Sequence, residues 1–180
     1  MTANQSALKS RPDPLAECLR LAMRRVAATV CVITTVDSDT TPYAMTATSV
    51  TSVSLEPPTL LACVNQKADI HRFLAAGQPF CINILSDNQE QIAKQCSQKR
   101  ISKTLLLSPP WQLNEIGLPY LSQNQASIFC KLERVIDHAT HSIFIGSVQH
   151  ALLNDQSNSP LIYLDGQYQQ PDTSNSRKTT

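Results

Sequence analysis

Two periodicities share this chain. Leu15, Cys18, Leu19, Ala22, Met23 and Val26 recur at helical spacing behind Asp13-Pro14, where an aspartate can cap and a proline fits the first turn. That spacing predicts an amphipathic helix. Beyond it, β-branched or apolar runs cover 27–36, 44–53, 59–64, 80–85, 111–113, 126–137, 142–153 and 161–164, separated by polar turns and prolines. Two further short helices are expected, one over 69–76 stopped by Gly77 and one from Ser86 to about Gln95. Residues 101–110 show no period. Roughly seven strands and three helices, without regular alternation, predict a mainly β chain: a closed or nearly closed antiparallel barrel with peripheral helices, not a doubly wound parallel sheet. Residues 1–12 read as a flexible arm, 13–168 as one domain and 169–180 as a disordered polar tail.

One predicted strand is unusual. Met45–Pro58 carries hydroxyls at Thr46, Thr48, Ser49, Thr51, Ser52 and Ser54, with valines and a leucine between them. A half-buried strand alternates apolar and polar residues; this one offers hydroxyls to both faces. A buried hydroxyl without a partner costs roughly 1–3 kcal/mol. The inner hydroxyls therefore bond their own backbone or line a pocket for a polar ligand. The competing reading is an edge strand with its Thr and Ser in water.

Composition removes several function classes. The chain has 180 residues, 42% of them hydrophobic, and a net charge of +1. It is long enough for a packed core, and it has no basic face of the kind nucleic acid requires. No apolar run reaches the length of a membrane span, and the first residues contain no apolar signal region. The six cysteines, at 18, 31, 63, 81, 96 and 130, form no CxxC pair and mostly sit in apolar company. They read as reduced core thiols of a cytoplasmic protein. The four glycines, Gly77, Gly117, Gly146 and Gly166, are too far apart for GxGxxG or a P-loop. Any phosphate must be held another way.

The stretch MTATSVTSVSLEPPTLLACVN, residues 45–65, resembles the signature of the flavin reductase-like family, the reductases of two-component flavin monooxygenases. Residues 22–35, 80–93, 140–148 and 160–168 resemble further parts of the same family. The resemblance implies an FMN-binding split β-barrel, antiparallel and Greek-key-like, usually a homodimer. It implies reduction of FMN or FAD by NADH or NADPH, with reduced flavin passing to a partner oxygenase. A flavin-binding electron carrier, or an interaction protein without NAD(P)H activity, is the alternative on a shared barrel.

Hydride transfer needs positioning more than acid–base groups, because the cofactors carry the chemistry. Nicotinamide C4 must come within about 3–3.5 Å of flavin N5. The resemblance assigns flavin to Thr46, Ala47, Thr48, Ser49 and Val50, and to Cys63, Val64, Asn65, Lys67, Ala68 and Asp69. Lys67 and backbone N–H groups at the next helix start would meet the phosphate. The bland reading makes Asn65 a turn cap and Lys67 a solvated side chain. Asp69 stands where the family often has a hydroxyl, and a carboxylate there repels phosphate. His141 and Ser142 are the expected nicotinamide contacts, although a lone histidine at a strand start is commonly structural. Ala44 and Ala139 replace family glycines. His138, three residues from His141, is expected on the opposite strand face. His71 reads as a surface residue. With no carboxylate to complete a ligand set, no metal is expected.

Overall fold

The computed structural model describes residues 13–99, 101–154 and 159–171. Arg100, 155–158 and both ends lie outside these, including nearly all of the expected arm and tail. The first helix, α1 (Pro14–Met23), begins as its sequence dictates. Asp13 caps it, its carboxylate accepting from the Leu15 amide at 3.0 Å, and proline opens the first turn. Nothing on α1 is buried: Leu15, Leu19 and Met23 are 75%, 61% and 57% exposed.

Seven strands form one antiparallel sheet in the order β3 (Pro42–Ala47), β2 (Cys31–Val36), β6 (Phe80–Ile84), β9 (Ala126–His138), β10 (His141–Leu153), β5 (Pro58–Asn65) and β4 (Val50–Leu55). Consecutive strands β3 and β4 thus lie at opposite edges. The single strand expected over 44–53 is two strands, and Thr48-Ser49 carry the chain across the mouth between the two edges. Strand-like chemistry runs through that link, and its Ser49 carbonyl meets β5, accepting from the Cys63 amide at 3.2 Å. A three-stranded sheet joins β1 (Ala28–Thr29), β11 (Ile162–Leu164) and β12 (Gln167–Gln169), and β7 (Trp111–Leu113) pairs with β8 (Pro119–Leu121). Residues 101–110, periodless in sequence, contain a one-turn helix, labelled α4 below.

Two apolar clusters flank β2, which is buried along its whole length. Cys31 and Ile33 face the barrel interior with Leu60, Val64, Leu74, Phe80 and Phe144. Val30 and Val32 face Leu85, Ala93, Cys96, Leu106, Trp111 and Leu121 under α3 (Glu90–Cys96) and α4 (Lys103–Leu106). Burial on both faces suits its β-branched residues, and the hydroxyls of Thr34 and Thr35 are satisfied by the carbonyls of Pro119 and Pro79 at 2.6 and 2.7 Å. Asn83 is the polar pin of the second cluster. Its Nδ2 donates to the Val32 carbonyl at 3.2 Å and its Oδ1 accepts from the Leu121 amide at 2.9 Å, docking β8 onto β6.

All six cysteines are unpaired, and Cys31, Cys81, Cys96 and Cys130 are buried. No helix among the described residues is long and apolar enough to cross a membrane.

Candidate cofactor site

The β3 strand splits its side chains between the two clusters. Met45 and Ala47 pack on the barrel core, Ala44 on the outer one. Thr46 Oγ1 donates to the Ala93 carbonyl at 2.6 Å, tying β3 to α3. Ser49 Oγ donates to the Cys63 carbonyl at 2.9 Å, bridging the chain link to β5. The Ser54 hydroxyl accepts from the Glu56 amide at 3.0 Å. Three of the six hydroxyls thus satisfy local backbone; Thr48, Thr51 and Ser52 are exposed. The hydroxyl-rich pattern mostly records a strand that leaves one sheet edge for the other.

Two clefts open along this strand. The larger, about 810 Å³, is bounded by Tyr43–Thr46, by the loop Gln66–Ile70 and by Ser97, Lys99 and Lys103. The smaller, about 640 Å³, is bounded by Thr46–Thr48, Glu90, Lys94, Tyr163 and Tyr168. Thr46 and Ser97 line both, so the two clefts run together. A ligand site of this fold class has a volume of this order.

The larger cleft is cationic. Lys67, Arg72, Lys99 and Lys103 face Asp69 alone among its acidic residues. Two of the cations are held by aromatic rings. The Arg72 guanidinium sits 4.5 Å from the Phe73 ring centre, Phe73 stacks on Tyr43 at 4.0 Å, and the Lys103 ammonium lies 5.5 Å from the Tyr43 ring centre. Such contacts fix a cation while leaving its charge unneutralised. This rim suits a phosphate or pyrophosphate. Only Lys67 of these cations was singled out in the sequence. Arg72, Lys99 and Lys103 are scattered along the chain, and no spacing rule joins them.

The helix start expected to meet the phosphate follows directly after Asp69 and Ile70. The helix after the loop, α2 (His71–Ala75), is five residues long and has no side-chain cap. The side-chain cations Lys67, Arg72, Lys99 and Lys103 line the cleft beside it. Asn65 forms the turn that opens the loop: its Oδ1 accepts from the Lys67 amide at 2.9 Å, and its carbonyl accepts from Ala68 at 2.9 Å.

The sequence-designated residues fall into three groups. Thr46, Ala47, Thr48, Lys67, Ala68 and Asp69 line one cleft or the other. Ser49, Val50, Cys63 and Asn65 sit beside them on β4, β5 and the link, while Val64 is fully buried in the barrel and offers the site only its backbone. His141 and Ser142 open β10, where His141 is the register partner of Asn65. His141 is exposed, but Ser142 points inward and is fully buried.

Two histidine expectations are corrected. His138 and His141 are direct register partners across the β9–β10 hairpin, and directly opposed residues share a face. The two-residue turn between them reverses the chain, so the alternation rule for one strand does not apply. His71 is half-buried. Its Nε2 lies 2.7 Å from Ser142 Oγ and its ring meets Phe144 edge-on at 5.3 Å. Among the described residues no three metal-ligating side chains gather.

The family departures differ in consequence. Ala44 has an ordinary strand backbone, whereas Ala139 sits at φ +49° in the hairpin turn, a conformation that favours glycine.

Residues 23–172 match the flavin reductase like domain family. The chain belongs to that family. It is 35% identical over 158 residues to the reductase component of the FADH(2)-dependent resorcinol hydroxylase of Rhizobium sp. (strain MTP-10005), covering 87% of this chain and 88% of that protein. It is 30% identical over 155 residues to the FMN reductase (NADH) RutF of Enterobacter cloacae subsp. cloacae, covering 86% of this chain and 93% of that one. The fold matches the crystal structure of BorF, the flavin reductase component of a bacterial two-component tryptophan halogenase. Here the TM-score is 0.78 at 33% identity, over 86% of this chain and 97% of BorF. It also matches the NADH:FAD oxidoreductase SgcE6 of Streptomyces globisporus C-1027, solved with NAD and FAD fragments, with TM-score 0.79 at 30% identity over 89% and 96%. The split-barrel expectation and the mainly β, antiparallel class are borne out in this flavin reductase-like domain.

Proposed function

We propose that this flavin reductase-like protein is an NAD(P)H:flavin oxidoreductase that reduces FMN or FAD for a partner flavin-dependent oxygenase. The observation that carries the reading is the cationic cleft built from β3, which runs into the 45–65 signature block, and the Gln66–Ile70 loop, which follows directly after that block. A flavin supplies a two-electron acceptor ring when bound. Lys67, Arg72, Lys99 and Lys103 would hold its phosphate electrostatically. The backbone of Thr46–Val50 and of Cys63–Asn65 offers hydrogen-bonding groups toward the ring's polar edge. Met45 and Ala47 contribute apolar lining to the two clefts. His141, which opens β10 next to the hairpin turn, would present an imidazole to the nicotinamide, with His138 beside it.

The pyridine nucleotide is NADH or NADPH, and the chain works in the cytoplasm. The functional unit is a homodimer. A helix with no buried residue and an exposed Leu15–Leu19–Met23 stripe is supported only when a second surface covers it.

The test is direct. Purified protein with free FMN or FAD should oxidise NADH continuously, followed by the loss of nicotinamide absorbance. A protein that binds flavin tightly and leaves NADH untouched is the carrier instead. A protein that does neither ends the proposal. Light scattering reports the dimer; a monomer at micromolar concentration removes that part.

A further inference from the structure

The flavin-binding loop is pinned at both ends to one hairpin. At its start, the Gln66 amide donates to the Thr140 carbonyl at 3.0 Å. At its end, His71 Nε2 meets Ser142 Oγ at 2.7 Å, and Ser142 Oγ lies 2.5 Å from Asp137 Oδ1. Thr140 is in the hairpin turn, Ser142 opens β10 and Asp137 closes β9, so every anchor belongs to the β9–β10 hairpin that carries His141. An ionised carboxylate only accepts. The Ser142 hydrogen therefore goes to Asp137, and His71 Nε2 must carry the hydrogen that reaches Ser142 Oγ. The chain runs in one direction, His71 to Ser142 to Asp137, with its central hydroxyl fully buried.

The two anchored parts differ in their own support. The hairpin is held by a long ladder in which His141 to Leu153 pair along β9 and His141 to Ser147 along β5. The loop has the Asn65 turn, the core side chain of Ile70 with Ala68 packed on the same cluster, and the short helix that follows it, but no ladder of its own. Loss of the chain therefore loosens the Gln66–Ala68 stretch and the start of the helix, and leaves the hairpin in place.

We propose that His71 is a positioning residue for flavin: through Ser142 and Asp137 it clamps the C-terminal end of the Gln66–Ile70 loop, so that Lys67 and Arg72 stay aimed into the cleft. This rests on the flavin reductase reading of that cleft, but the clamp itself is tested without it. Amide exchange of the ligand-free protein at Gln66, Lys67, Ala68 and His71 should quicken about tenfold in His71→Ala, with exchange in β2 and β6 unchanged. The KM for FMN should rise by about the same factor, while kcat and the KM for NADH change much less. His71→Gln, whose amide can reach Ser142 in place of Nε2, should recover both loop protection and the flavin KM. The proposal is overturned if loop exchange stays at the wild-type rate, if β2 and β6 quicken as much as the loop, or if the glutamine variant recovers nothing. Wild-type protein that fails to reduce flavin would defeat the functional reading, and the exchange measurement would still decide the clamp.

Discussion

Asp69→Ser removes the one acidic side chain among the described residues that line the larger cleft, where it opposes a phosphate. Asp69 is exposed, lines the cleft beside Lys67, and makes no hydrogen bond to another described residue. Its replacement therefore costs the fold little. A flavin phosphate carries about −1.5 to −2 charges at neutral pH. At a separation of about 6 Å in an open, water-like cleft, Coulomb's law gives about 1 kcal/mol of repulsion. Removing it should tighten FMN about fivefold. The effect should be largest at low ionic strength, where the Debye length is about 30 Å, and shrink near physiological salt, where it is about 8 Å. Titration followed by quenching of flavin fluorescence measures this, and riboflavin, which lacks the phosphate, is the internal control. If FMN binding is unchanged at low salt, or if riboflavin tightens as much as FMN, the phosphate does not sit by this loop.

Three further outcomes follow from the packing and the backbone. Ala139→Gly relieves a left-handed alanine costing about 1–2 kcal/mol, offset in part by glycine's greater freedom in the unfolded chain. The melting temperature should rise by about 2 °C, and a fall would show that the turn is not strained. Gly146→Ala would place a Cβ 2.6 Å from Cζ of the buried Phe80 and 3.2 Å from the Lys131 carbonyl. It should destabilise by about 1–3 kcal/mol in urea unfolding, and wild-type stability would mean that Phe80 has room to move. Burial pushes the thiols of Cys31, Cys96 and Cys130 up to about 12, and that of Cys81 higher still. At neutral pH these thiols are protonated in both states, so they confer no pH dependence there. Above about pH 9 the unfolded chain loses thiol protons that the folded chain keeps. Stability should then fall by about 1.4 kcal/mol per pH unit for each such thiol. Denaturant midpoints that stay flat from pH 8 to 10 would contradict their burial.

Sequence alone settled whatever depends on neighbours along the chain. Asp13-Pro14 starts a helix because a cap and a first-turn proline act within one turn. Residues 31–36 form a strand, as the β-branched run over 27–36 predicts. Gly77 stops α2 at φ +83° because only glycine takes that backbone cheaply. The family was also legible, since its signature lies in one contiguous block.

Tertiary structure decided what depends on distant partners. The hydroxyl-rich strand breaks at Thr48-Ser49 because β3 and β4 belong to opposite edges of the sheet, and edge assignment is a property of all seven strands. The histidines at 138 and 141 share a face because a tight turn lies between them. Short β8 and β12 have too few residues to show a period, and they exist only against β7 and β11. The cationic rim joins positions 67, 72, 99 and 103 through folding. His71, read from sequence as a surface side chain, finds Ser142 71 residues away. Local chemistry sets each segment's preference, but a binding site needs charges and hydrogen bonds converging from several segments, and only the folded chain supplies that convergence.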